Sequence, residues 1–243
     1  MSDRRPIAAR ILSMLDLTNL DDACTTSQVE TLCERARSRF GNVAAVCVWP
    51  RFVTMAKERL AGTDIRVATV VNFPDGGTDI DGTIALVGDC ISDGADEIDV
   101  VAPYRSLLAG DETTYRDFLR AVRESVHEPV HMKVILETGE LVDTHLIERA
   151  ASIAVECGAD FIKTSTGKTK VSATVEAAVT MLRVIGRSDR RVGLKPSGGI
   201  RTVDDAARYL EMADAIMGPS YTTPRTMRFG ASGLLDAVER ELA

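Results

Sequence analysis

One rhythm constrains this chain more than any other feature: eight short runs rich in apolar and β-branched residues recur, with longer stretches of helical periodicity between them. The runs are Ile11 to Leu17, Val43 to Trp49, Arg66 to Asn72, Glu97 to Val101, His131 to Glu137, Phe161 to Thr164, Val192 to Lys195 and Ala215 to Met217. Strand-like runs alternating with helical stretches signal parallel βαβ units rather than a bundle or a sandwich. In Val142 to Cys157, for example, Leu146, Ile147, Ala150, Ile153 and Ala154 share one helical face. The helix after the sixth run is expected to start at an N-cap Ser172, with Glu176 in its first turn. Gly-Ala-Asp precedes two runs, at Gly94 to Asp96 and Gly158 to Asp160, where glycine can end a helix in the left-handed conformation.

The length of 243 residues suits one eight-fold barrel of roughly 250 residues. No Pro- or Ser-rich linker interrupts the rhythm, so residues 1–243 are expected to form a single (β/α)8 TIM barrel. An open doubly wound sheet is the alternative that the same alternation allows, and eight evenly spaced strands favour closure.

Hydrophobic residues make up 45% and charged residues 27%, enough apolar mass for a sizeable core. With 29 basic against 36 acidic side chains, the net charge of −7 opposes binding to nucleic acid or an anionic membrane. The longest apolar run, Val43 to Trp49, is too short to span a bilayer, and Arg10 and Asp16 break the stretch a signal peptide needs. A cytoplasmic location is the expectation, and a homodimer follows only as a base rate for an enzyme of this size. Five cysteines without close pairs argue against a disulfide framework and a zinc site, and the three histidines lack a metal-binding spacing.

Strand alternation then sorts the charged residues. If Ile98 and Val100 face the helices, Asp99 faces the interior; Met132, Val134 and Leu136 outside leave Lys133, Ile135 and Glu137 inside. The same step sends Lys163 and Lys195 inward, near the strand ends where barrel enzymes place their chemistry. Lys133 with Glu97 or Glu137 reads equally well as an internal salt bridge. For Lys163 and Lys195 that reading is weaker, because lysine is almost never fully buried without a partner or a task.

A lysine with a pKa of roughly 10.4 is neutral in only about one molecule in several thousand at pH 7, so a nucleophilic amine must be tuned. A second ammonium about 4 Å away, at an effective dielectric near 20, raises the cost of charging by roughly 4 kcal/mol, a factor of about a thousand in the ionisation constant. Lys163 and Lys195, meeting across neighbouring strands, would supply this, with Asp99 passing protons through a water. Replacing Asp99 by asparagine is expected to slow enamine protonation and leave folding largely intact.

The segment Lys163 to Thr169 looks at first like a nucleotide P-loop, but that motif needs glycine at 162, where the chain has Ile162. Ser165, Thr166 and Gly167 instead suit a polar loop at the barrel mouth, where Lys168 either binds an anion or is simply solvated. Gly198-Gly199 follows the seventh run, and Gly230-Ala231-Ser232-Gly233 is expected to open the last helix, capped by Ser232. Together their backbone N–H groups favour a phosphate.

These residues resemble the deoxyribose-phosphate aldolase family of class I aldolases. The matching stretches are Asp16-Leu17-Thr18, Val46 to Val53, Asn72-Phe73-Pro74, Glu97 to Val101, Ile135 to Gly139, Phe161 to Lys168, Lys195 to Thr202 and Phe229 to Ser232. The resemblance implies reversible cleavage of 2-deoxy-D-ribose 5-phosphate to D-glyceraldehyde 3-phosphate and acetaldehyde, with no metal or cofactor. It implies Lys163 as the Schiff-base lysine, Lys195 as its activating neighbour and Asp99 as proton donor and acceptor. Asp16, Thr18, Thr164, Lys168, Gly198, Gly199, Gly230 and Ser232 are the implied substrate contacts. Ser232-Gly233 stands where many relatives have two serines, so one hydroxyl contact is expected to be missing. Some relatives end in a tyrosine-bearing tail, whereas this chain stops at Glu241-Leu242-Ala243, which implies a proton shuttle of water and Asp99 alone. A phosphate-binding isomerase or epimerase, and a non-catalytic sugar-phosphate sensor, are the rival readings.

Overall fold

The computed structural model describes residues 4–243; Met1 to Asp3, the start of the span expected to form one unit, lie outside them. The main sheet holds eight parallel strands: β1 (Leu15–Asn19), β2 (Ala45–Val48), β3 (Arg66–Val71), β4 (Glu97–Val101), β5 (His131–Ile135), β6 (Phe161–Lys163), β7 (Gly193–Lys195) and β8 (Phe229–Ala231). Strand β8 pairs with β1, Leu15 opposite Phe229, and the bridges Leu194 to Met227 and Ser197 to Gly230 return it to β7. The sheet therefore closes into the expected barrel, and an open doubly wound sheet is excluded.

Around it run α1 (Arg5–Ser13), α2 (Thr26–Arg35), α3 (Val53–Arg59), α4 (Ile80–Ser92), α5 (Tyr104–Leu108), α6 (Glu112–Ser125), α7 (Thr138–Leu141), α8 (Thr144–Glu156), α9 (Val175–Gly186), α10 (Val203–Met217) and α11 (Leu234–Leu242). Six of these start where a Thr or Asp side chain accepts a first-turn N–H: Thr25, Asp79, Asp111, Asp143, Thr174 and Thr202. Each such cap stabilises its helix by about 1 kcal/mol. Cap chemistry also moves two expected boundaries. Thr174, not Ser172, caps α9, while the Asp143 cap starts α8 two residues inside the expected Val142 to Cys157 stretch, which α8 otherwise fills.

Two of the eight runs were placed incorrectly. Ile11 and Leu12 belong to the buried face of α1, and the strand begins at Leu15. Ala215 to Met217 is the last turn of α10, whose buried positions Ala206, Tyr209, Leu210 and Ala213 keep helical spacing up to Gly218; the eighth strand is Phe229–Ala231. Gly230 and Ala231 therefore belong to a strand, and Gly233, rather than Ser232, caps α11. A two-stranded ribbon, Arg37–Ser38 against Gly41–Asn42, was not foreseen.

The repeated Gly-Ala-Asp has a structural cause. Gly94 and Gly158 both take φ above +90°, ending α4 and α8. The aspartates that follow accept a backbone N–H from the neighbouring strand, Asp96 from Val67 and Asp160 from Met132, both at 2.8 Å. Register then follows the expected alternation: Asp99 pairs with Lys133, and Lys163 lies between Ile135 and Lys195. Ile98, Val100, Met132, Val134 and Ile162 are buried in the apolar layer beneath the helices. Among the described residues no helix is long and apolar enough to cross a membrane.

Candidate active site

Inside the barrel seven charged side chains, six on strands and Arg228 just before β8, form one buried network. Asp99 is its hub: Oδ1 accepts from Lys133 Nζ at 2.7 Å, while Oδ2 accepts from Lys163 Nζ at 2.8 Å and Lys195 Nζ at 2.7 Å. Two ammonium-type nitrogens on a single oxygen are less than roughly 6 Å apart by hydrogen-bond geometry, so the expected meeting of Lys163 and Lys195 is present. Lys195 also lies 2.6 Å from Asp16, and Lys133 lies 2.6 Å from Glu97. Arg228 ties the far end together, reaching Asp16 at 2.7 Å and Glu97 at 2.9 Å. Lys133 is thus paired with Glu97 and Asp99, not with Glu137.

The arithmetic of this network identifies the reactive amine. Three buried carboxylates, Asp16, Glu97 and Asp99, face four buried basic groups, Lys133, Lys163, Lys195 and Arg228, while half-exposed Arg66 reaches Glu97 from the edge at 3.7 Å. One excess positive charge among buried side chains is costly, so one amine is driven to release its proton. Lys133 and Lys195 each contact two or more carboxylates, Arg228 contacts two, and Lys163 contacts Asp99 alone. Lys163 is accordingly the amine with the lowered pKa: burial is the largest cause and the charge of Lys195 adds to it, with Asp99 pulling the other way. Sequence reasoning ranked the second ammonium first; desolvation ranks above it. For Lys195 and Lys133 burial is outweighed by facing carboxylates, which hold both amines above the ordinary lysine value.

Burial pulls the three carboxyls upward, and the facing cations pull them further down, so all three lie below their usual values. The stability they supply is present in full above unfolded values of 3.8 and 4.5, and is lost as pH falls through the lower folded values. In that acid range the unfolded chain takes up protons that the folded chain does not. A melting temperature followed from pH 7 to pH 3 is therefore expected to fall steeply below about pH 4.5; a flat profile would contradict the ionised network.

The strands bearing Lys163 and Lys195 run into the wall of a cavity of about 580 Å³ at the C-terminal mouth, reached at Thr166 and Ser197. Six of the expected substrate contacts line it: Thr18, Lys168, Gly198, Gly199, Gly230 and Ser232. Gly230 has a steric reason as well, since a Cβ there would lie 2.5 Å from Ser197 Oγ and 3.2 Å from Lys195 Cε. Lys168 lies over the Trp49 ring and 3.2 Å from exposed Asp22, at the rim.

Asp16 and Thr164 are not on the cavity wall. Asp16 is wholly buried between Lys195 and Arg228, and Thr164 exchanges hydrogen bonds with the Ser197 backbone, so it joins β6 to the segment after β7. Arg228, buried within the network, was missed because its strand was misplaced; the inward alternation of Arg228 and Gly230 in Met227 to Ala231 was the available signal.

Comparison with known proteins adds descent to this geometry. The sequence model of the DeoC/LacD family aldolases matches residues 10–237. The chain is 55% identical to a deoxyribose-phosphate aldolase of Agrobacterium fabrum over 241 residues, covering 98% of this chain and 93% of that protein. A crystal structure from Toxoplasma gondii, assigned as a deoxyribose-phosphate aldolase, superposes with a TM-score of 0.89 at 27% identity, covering 98% and 97% of the two chains. One from Coccidioides immitis, assigned likewise, gives 0.85 at 30% identity over 96% and 86%.

Proposed function

Because the chain belongs to the DeoC/LacD aldolase family, we propose that it cleaves 2-deoxy-D-ribose 5-phosphate reversibly into D-glyceraldehyde 3-phosphate and acetaldehyde, through a Schiff base on Lys163. The observation that carries this reading is the position of Lys163 in a network with one cation too many, where it alone has a single carboxylate partner.

The chemistry follows in balanced steps. Lys163 Nζ, unprotonated, adds to the aldehyde carbon of the open-chain sugar; the carbinolamine takes a proton and loses water to give an iminium. The iminium draws electrons from the C2–C3 bond as the C3 hydroxyl loses its proton, releasing D-glyceraldehyde 3-phosphate and leaving an enamine. Protonation at C2 and hydrolysis return acetaldehyde and free amine. Asp99, within 2.8 Å of both Lys163 and Lys195, is placed to hold and return the protons of these steps. Lys195, fixed in the charged form by Asp16 and Asp99, raises the cost of protonating Lys163. At the mouth, Gly198, Gly199, Ser232 and Lys168 would receive the phosphate. Five buried free thiols suit a reducing compartment, the cytoplasm.

The assay is direct: purified protein with 2-deoxyribose 5-phosphate should release glyceraldehyde 3-phosphate, read with a coupled dehydrogenase. Binding without release would favour a sensor, and isomerised sugar without acetaldehyde would favour an isomerase.

Lys195→Leu tests the electrostatic part. It removes the repulsion and leaves Asp99 Oδ2 to Lys163, with Lys133 still on Oδ1, and both changes raise the pKa of Lys163. The acid limb of kcat/KM is expected to move toward alkaline pH; an unmoved limb would remove Lys195 from the activation argument.

A further inference from the structure

Glu137 is wholly buried and has no ion-pair partner among the described residues, although an unpaired buried carboxyl is costly. It is fully engaged in another way. Its Oε2 accepts from Thr166 N at 3.2 Å and Thr166 Oγ1 at 2.5 Å, and its Oε1 from Thr169 Oγ1 at 3.2 Å. Its backbone adopts φ 54°, a left-handed conformation that costs a non-glycine residue on the order of 1 kcal/mol or more. That turn leads from β5 into α7, while the carboxyl crosses to the loop after β6. A second close contact holds the same loop: a Cβ on Gly139 would lie 2.0 Å from Val171 O, so only glycine lets the two segments meet. Gly167 and Lys168 stand between the two threonines that Glu137 holds, and both are on the wall of the mouth cavity.

We propose that Glu137 is a positioning residue for phosphate recognition: by gripping Thr166 and Thr169 it fixes the loop that presents Lys168 and Gly167 to the substrate's phosphate. This rests on the aldolase reading for the identity of the substrate, and not for the clamp itself. Glu137 makes no ion pair with the buried network and feels Lys163 only through space, as the smallest influence on its carboxyl, so its loss should affect anchoring of the phosphate more than the covalent step.

The test compares Glu137→Ala, Glu137→Gln and Thr169→Val, each first checked by thermal melting. With 2-deoxyribose 5-phosphate, Glu137→Ala is expected to raise KM by about tenfold or more, the scale of losing a hydrogen bond to a charged group, with kcat nearly unchanged. Efficiency on unphosphorylated 2-deoxyribose should stay close to wild type. Glu137→Gln, which keeps an accepting oxygen for Thr166, should recover part of the loss, and Thr169→Val should show a smaller rise. Inorganic phosphate titrated calorimetrically reads the same loop without turnover, and its affinity should fall in the same order. Equal losses on both sugars, or an unchanged phosphate affinity in Glu137→Ala, would overturn the proposal. If Glu137→Ala does not fold, unchanged phosphate affinity in both Glu137→Gln and Thr169→Val overturns it. A wild-type protein that binds phosphate in this graded way yet cleaves neither sugar would instead defeat the aldolase reading and leave the clamp standing.

Discussion

Lys163→Ala is expected to lower kcat/KM for 2-deoxyribose 5-phosphate by at least about 10⁴-fold, the scale of losing a nucleophile that works as part of a unit. The substitution also leaves the buried network balanced, with three carboxylates facing three cations, so the protein should fold at near wild-type stability. Lys163→Arg separates covalent from electrostatic catalysis: it keeps a cation beside Asp99 and supplies no nucleophilic amine. Both variants should be inactive and unmodified by acetaldehyde with borohydride. Activity in Lys163→Arg within tenfold of wild type would point to electrostatic catalysis, as in an isomerase.

Asp99→Asn has a second large effect, and the structure revises what its sequence position suggests. Read as an inward-facing proton carrier acting through a water, Asp99 seemed replaceable without harm to folding. It is in fact wholly buried and bonded to Lys133, Lys163 and Lys195 at once. An asparagine cannot accept from all three, and it leaves two carboxylates facing up to four cations. Breaking a buried ion pair by removing one partner typically costs about 3–5 kcal/mol. For a chain of this size that corresponds to a melting temperature lower by roughly 10 °C. Urea denaturation should show the midpoint falling with little change in slope. Some of the cost is relieved by further deprotonation of Lys163, so Asp99→Asn should lose less stability at pH 9 than at pH 6. Stability equal to wild type at both values would mean that the three amines do not depend on Asp99.

Alternation within individual strands made much of this legible. In Glu97 to Val101 and in His131 to Glu137 every second residue is apolar and suits a helix-facing layer, which leaves Asp99, Lys133 and Glu137 pointing inward. The same step placed Lys163 and Lys195. It failed at β8 because Phe229-Gly230-Ala231 is short and contains glycine, whereas Ala215 to Met217 offered a more apolar run that is the end of a helix. With that strand went Arg228, and with Arg228 the count of four cations to three carboxylates. Asp16 and Thr164 came as substrate contacts only with the resemblance, and a matching stretch does not separate a residue on the cavity wall from one buried behind it. Glu137 was seen to face inward, but its partners Thr166 and Thr169 lie on another loop, and no spacing along the chain links them. The weight of burial over charge repulsion at Lys163 was illegible for a related reason, since solvent exclusion belongs to the closed barrel and not to any one segment.

The most direct test of the central claim is the pH dependence of imine formation between acetaldehyde and the intact protein, stopped with borohydride and read by peptide mass. The account predicts that one peptide, the one bearing Lys163, gains an ethyl group rapidly at neutral pH, while exposed lysines such as Lys170 stay unmodified. A turnover-competent protein whose Lys163 remains unmodified, or is modified only at the alkaline pH of ordinary lysines, would contradict it.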